Sequence, residues 1–176
     1  MQGKLYDKAI ISDTSCLIAL TDINRLDILK QLYGEIIITP EVAAEYTRPL
    51  PEWIVVKNAE NKDAFAEIRK NKLGIGESSS IALAMETQNA TLILDDDRAR
   101  NYALKKGLSI TGTLSIVGNA CDLGYIESYE AVCEDLRKVD FRFSDKLQEE
   151  VKKNTMANKP AQKTDEKTKP KRGFRH

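Results

Sequence analysis

Hydrophobic and polar positions along this chain switch between two periods. Residues 9–12, 36–38, 91–94 and 108–111 are short apolar runs rich in β-branched side chains, the pattern of strands covered on both faces. Residues 53–57 read as one more short strand. Between these runs the apolar residues recur at helical spacing, over 14–20 and over 25–32 with Gly34 as a stop. Thr39-Pro40 predicts a helix start, Thr as N-cap and Pro at the first position, with Pro49 and Pro51 ending it. A solvent-facing helix is expected over 59–71, and Leu73-Gly74-Ile75-Gly76 breaks it. Glu77 opens a more apolar helix through Ile81-Ala82-Leu83-Ala84-Met85, which is expected to be central. Further helices are predicted over 98–106, from Thr113 to near Gly124, over 128–138 and over 144–153.

Strand and helix patterns alternate almost throughout, which predicts an α/β fold with a parallel sheet covered by helices on both faces. The 176 residues suffice for one such domain, placed at 1–153. From Asn154 the apolar content falls away, and 154–176 is expected to be a disordered basic tail.

Charge sharpens this division. The chain is neutral overall, with 27 basic and 27 acidic residues. Nine Lys or Arg against Asp165 and Glu166 give +7 from residue 151 onward, so residues 1–150 carry −7. An acidic body with a basic tail suits cation binding in the body and phosphate contact by the tail, and disfavours one broad basic reading face. Cys16, Cys121 and Cys133 are widely spaced and odd in number, which predicts reduced thiols and a cytoplasmic setting. No apolar run approaches the roughly 20 residues of a bilayer span, and the N-terminal stretch lacks a signal-peptide pattern. The only histidine is His176, so neither a histidine general base nor a histidine zinc site is available, and any catalysis must rest mainly on carboxylates.

Open parallel sheets carry their functional groups at the carboxyl ends of the strands. Asp13 and Asp95 each follow an apolar strand-like run, and Glu41, Glu45 and Glu77 lie near helix N-termini that face the same rim. Carboxylates crowded into one pocket repel, and a hard cation such as Mg²⁺ or Mn²⁺ relieves that repulsion through oxygen ligands. Simpler roles compete. Glu41 and Glu77 are placed as partners of a helix dipole, and one of Asp95, Asp96 and Asp97 is expected to cap the following helix. Asp13, a charge ending an apolar strand, is harder to explain without a partner.

The segments IISDTSCLIAL (10–20), IIITPEVAAEY (36–46), GIGESSSIALAMETQNATLILDDDRAR (74–100) and GLSITGTLSIVGNACDLGYI (107–126) resemble the PIN-domain superfamily, and within it the toxin-like VapC-related branch. The resemblance spans roughly residues 9–150 and is most specific from Gly74 to Gly112. It implies a three-layer sandwich with a central parallel sheet, an acidic site for one or two Mg²⁺ or Mn²⁺ ions, and endoribonuclease activity. It also implies RNA as substrate, a homodimer, and a cognate protein antitoxin. By position, Asp13 matches the first-strand aspartate and Ser15 the hydroxyl residue that accompanies it. Glu45 matches the glutamate after the second strand, Glu77 an acidic residue opening the central helix, and Asp95 the fourth acidic position. Glu77 stands where many members carry aspartate. Leu94-Asp95-Asp96-Asp97 replaces the usual Thr-x-Asp, which leaves Asp96 and Asp97 open as alternatives to Asp95.

These readings combine into hydrolysis of an RNA phosphodiester by water activated on a divalent ion. Asp13, Glu77 and Asp95, with Asp97, are the expected metal ligands; Glu45 orients a water or helps hold a second ion. Arg98 and Arg100, together with Ser15, are the expected substrate contacts. The alternative is a non-catalytic RNA-binding or regulatory protein on the same scaffold. A phosphoacceptor receiver domain is disfavoured: it needs an acidic pair after the first strand and a lysine after the last, and neither is present.

Overall fold

The computed structural model describes residues 8–157; of the tail expected over 154–176, residues 154–157 are helical and 158–176 lie outside the described residues. The expected strands form as β1 (Ala9–Ser12), β2 (Ile36–Ile38), β3 (Ile54–Val56), β4 (Ala90–Ile93) and β5 (Ser109–Thr111). They pair in the order β3-β2-β1-β4-β5, parallel at every junction. The chain builds outward from β1 through β2 to β3, then returns to the other side of β1 for β4 and β5. That reversal makes the carboxyl ends of β1 and β4 the switch point of the sheet, where a crevice opens between diverging connections.

Two cores cover the sheet. Ile10, Ile36, Ile38 and Ile93 face one side, against α1 (Thr14–Asp22), α2 (Asp27–Tyr33), α3 (Pro40–Tyr46), α7 (Thr113–Asp122), α8 (Tyr129–Lys138) and α9 (Asp145–Ala157). Ile11, Leu92 and Leu94 face the other, against α4 (Lys62–Arg69), α5 (Ile75–Met85) and α6 (Asp97–Lys105). Alternate strand residues therefore feed alternate cores, as a period of two requires, and the result is the three-layer α/β sandwich expected from the sequence. Among the described residues no helix is long and apolar enough to cross a membrane. The three cysteines are unpaired thiols.

Element boundaries differ from the sequence reading where side chains outside the periodic pattern intervene. Helix α4 begins at Lys62, not near Ala59, because the Asn61 side chain accepts from the Ala64 N–H and fixes the start there. Helix α5 begins at Ile75, two residues before Glu77, since the Glu77 carboxylate reaches back to accept from the Gly74 N–H at 3.0 Å. At the C-terminal end, α9 runs on through Ala157 past the expected limit at residue 153. Gly118 on α7 explains the packing there: a Cβ at Gly118 would lie 2.6 Å from Thr155 Cγ2 and 3.1 Å from Val151 Cγ1, so the bare glycine lets α9 settle onto α7.

Candidate active site

The Asp13 N–H donates to the Ile93 carbonyl at 3.1 Å, which ties the end of β1 to the end of β4 and sets Asp13 in the switch-point crevice. Asp13 occupies the N-cap position of α1, yet its side chain makes no capping hydrogen bond to that helix's first turn. Its hydrogen-bond partner is the Ser15 hydroxyl, at a long 3.3 Å. A carboxylate that is only 4% exposed and so sparsely bonded is expensive to ionise. Burial pushes the Asp13 carboxyl up to about 7; the Thr14 backbone N–H opposes the rise, the charges of Glu77 and Glu45 add to it, and the Ser15 hydroxyl again opposes it.

Glu45 arrives from α3. The Thr39 hydroxyl accepts from the Val42 N–H at 3.2 Å, the cap expected from Thr39-Pro40, and also pairs with the Ser79 hydroxyl at 2.7 Å. Ser79 in turn donates to the Gly76 carbonyl, so the starts of α3 and α5 are bolted together. Glu45 is held within that joint by both oxygens. The Thr14 hydroxyl donates to Oε2 at 2.6 Å, and the Gly76 N–H donates to Oε1 at 3.1 Å. Gly76 is required for this approach: a Cβ there would stand 2.6 Å from Glu45 Oε2 and 3.1 Å from Thr14 Oγ1. Glu41, one turn earlier, lies in the first turn of α3, the place of a helix-dipole partner.

Glu77 is half-buried, and its carboxyl is raised chiefly by burial. The Gly74 N–H lowers it, Asp96 and Glu45 raise it, and the Arg98 guanidinium lowers it. Glu77 is thus close enough to repel Asp13, Glu45 and Asp96, although the four come from separate segments.

The three aspartates after β4 divide their roles. Asp95 accepts from both groups of Thr113, the N–H at 2.8 Å onto Oδ1 and the hydroxyl at 2.6 Å onto Oδ2, and so anchors the start of α7. Burial raises its carboxyl, against the pull of those two Thr113 bonds and of Arg100. Asp96 is the cap of α6, accepting from the Ala99 N–H at 3.0 Å. Asp97 is exposed in the first turn of that helix. The buried Cys16 thiol, pushed up mainly by its own burial, also feels the charges of Asp95 and Asp13.

The two candidate substrate arginines point differently. Arg98 is exposed, donates to the Lys72 carbonyl at 2.8 Å, and lies near Glu77. Arg100 turns inward, donating to the Leu94 carbonyl at 2.7 Å; a Cβ at Gly112 would sit 3.1 Å from both its Nη1 and Asp95 Oδ1. Arg100 is therefore engaged with the backbone at the end of β4, from where its charge lowers the Asp95 carboxyl. Sequence reasoning missed Thr14, Gly76 and Thr113, the groups that fix Glu45 and Asp95. Among the described residues no three Cys, Asp or Glu side chains close around one point as a metal cage does; Glu77 is turned to Gly74, and Asp95 to Thr113.

Removing the Thr113 hydroxyl should expose the structural part of this arrangement. Thr113 is fully buried and donates a short bond to a carboxylate, an interaction of roughly 1.5–3 kcal/mol. Thr113→Val should lower stability by about 2 kcal/mol in urea unfolding, with the urea dependence (m-value) unchanged.

A family model described as a PIN domain matches residues 9–156. Neither the curated proteins nor the solved structures contain a match to this chain.

Proposed function

Because the chain belongs to the PIN-domain family, we propose that its acidic crevice is the centre of a metal-dependent endoribonuclease that hydrolyses RNA phosphodiester bonds. The single observation behind this reading is Asp13: buried, unused as a cap, and pressed by the charges of Glu77 and Glu45. Such an arrangement costs stability without a cation, and an all-oxygen donor set suits Mg²⁺ or Mn²⁺ better than a softer ion.

Asp13 and Glu77 are the proposed principal ligands, which requires the Glu77 carboxylate to turn from its cap on Gly74. Asp95, anchored by Thr113, and Asp97 on the exposed start of α6 are the proposed outer members of the set. A divalent ion held there supplies Lewis-acid polarisation and offsets the negative charge that grows on phosphorus. Glu45 has both oxygens fixed, by Thr14 and Gly76, and is suited to orienting a water by accepting its hydrogen bond. Arg98, beside Glu77 and exposed, is the proposed contact to the substrate phosphate, and Ser15 steadies Asp13. The toxin role, with a protein antitoxin and a homodimer, is part of the proposal on family resemblance alone.

A nuclease assay on single-stranded and structured RNA tests the reading. Cleavage is expected with Mg²⁺ or Mn²⁺ and should cease in EDTA. Binding of RNA without metal-dependent turnover would instead favour the non-catalytic reading.

A further inference from the structure

A second surface adjoins the crevice and has no part in holding the carboxylates. Between the turn after α4 and the outer face of α6 lies a cleft of about 520 Å³. Leu73, buried, lines it, and beyond Leu73 the chain passes directly to Gly74, whose N–H donates to the Glu77 carboxylate. Arg98, Lys105 and Lys106 line the cleft with three positive charges, and no lining residue is acidic. Among the described residues none of these three cations forms a salt bridge. Lys72, at the same turn, is exposed, and its carbonyl takes the Arg98 guanidinium. Two acidic groups adjoin it: Glu77, near Arg98, and Glu67, which is already bonded to Lys70 at 2.9 Å and feels Lys106 more weakly.

The remaining lining groups suit a nucleotide strand. Asn71 and Asn101 bring side-chain amides, which hydrogen-bond to sugars and base edges. Tyr102 is half-buried in the wall, with Lys106 Nζ 5.6 Å from its ring centroid, so an aromatic surface and a cation stand together. This positive cleft stands out on a body whose net charge is −7. A polyanion drawn to it is led toward Arg98, which is shared between the cleft and the neighbourhood of Glu77.

We infer that this cleft is a binding track for single-stranded RNA flanking the cleaved bond, with Arg98, Lys105 and Lys106 on successive phosphates and Tyr102 against a base. The inference rests on the ribonuclease reading for its substrate, and it adds a subsite that the carboxylates do not create. Arg100 has no place on the track, because it does not line the cleft and its guanidinium turns inward to the Leu94 carbonyl.

The test is fluorescence anisotropy with a labelled single-stranded RNA dodecamer in EDTA, over a range of salt, followed by cleavage kinetics in Mn²⁺. The variants are Lys105→Ala/Lys106→Ala and, as control, Lys8→Ala/Lys30→Ala, lysines that line a separate cavity beside the starts of β1 and β2. All four lysines are exposed or close to it, so the fold should tolerate each change. The cleft variant should bind about tenfold more weakly near 0.1 M salt, and the slope of log K against log salt should flatten by about 1.4, the value for two lost phosphate contacts to a single strand. The control should change affinity less than twofold. Equal losses in both variants, no loss in the cleft variant, or a parent that does not bind RNA would overturn the track. The two readings separate cleanly: a parent that binds through the cleft but never cuts refutes the nuclease alone. A parent that cuts with an unchanged KM in the cleft variant refutes the track alone.

Discussion

Asp13→Asn should make the metal-free protein more stable while removing its activity. The amide keeps the shape of the side chain and its contact with Ser15 but never carries the charge that burial, Glu77 and Glu45 oppose. In the parent the Asp13 carboxyl titrates at about 7 when folded and near 3.8 when unfolded. Folding thus favours the protonated acid, and its contribution is fully present below about pH 4. It is lost progressively as pH rises through 7, amounting to about 4 kcal/mol by pH 8. The variant should therefore match the parent near pH 4 and exceed it by up to that amount at pH 8, measured by urea unfolding in EDTA. Added Mn²⁺ should reverse the ranking by stabilising only the parent. Cleavage should fall by about 10³-fold, the several kcal/mol of barrier associated with a lost ion. A metal-free variant less stable than the parent at pH 8 would contradict the assigned strain.

Gly76→Ala should separate activity from stability in another way. The added methyl group meets Glu45 Oε2 at 2.6 Å and Thr14 Oγ1 at 3.1 Å, so the Glu45 carboxylate has to leave its two donors. That carboxylate is the far end of a flexible side chain, and alanine is a better helix residue than glycine at this second position of α5. Stability should accordingly move by no more than about 1 kcal/mol. Activity should fall by about 10–100-fold, as for loss of groups that orient a metal site's neighbours. Gly76→Ala with parental kinetics would show that Glu45 is not needed in that orientation.

Much of the architecture was legible in the chain because it depends on local signals. Short β-branched runs became strands, and the Thr39-Pro40 start became a capped helix at the expected residue. The α/β alternation led to a parallel sheet, which in turn put Asp13 and Asp95 at one rim. The division of labour among Asp95, Asp96 and Asp97 was only partly readable. One cap among the three was expected, but its identity depends on where α6 begins, and the role of Asp95 depends on Thr113, 18 residues away.

Contacts made across the fold were not readable at all. Thr14 and Glu45 are 31 residues apart, and nothing in either neighbourhood signals a 2.6 Å bond. Gly76 looked like a helix breaker, whereas its lack of a side chain makes room for Glu45. Arg100 looked as free as Arg98 on the surface of one helix, yet the bare Gly112 leaves space for it to turn inward. The positive cleft likewise joins residues around 71–73 to residues around 98–106, two segments that carry no shared motif.

Calorimetric titration of Mn²⁺ into EDTA-stripped protein at pH 8, with the parent and Asp13→Asn side by side, addresses the ion itself, independent of any choice of RNA. The parent should bind Mn²⁺ with release of heat or protons, and the variant should bind at least about 100-fold more weakly. Equal binding by both proteins, or none by the parent, would contradict a divalent ion seated on Asp13.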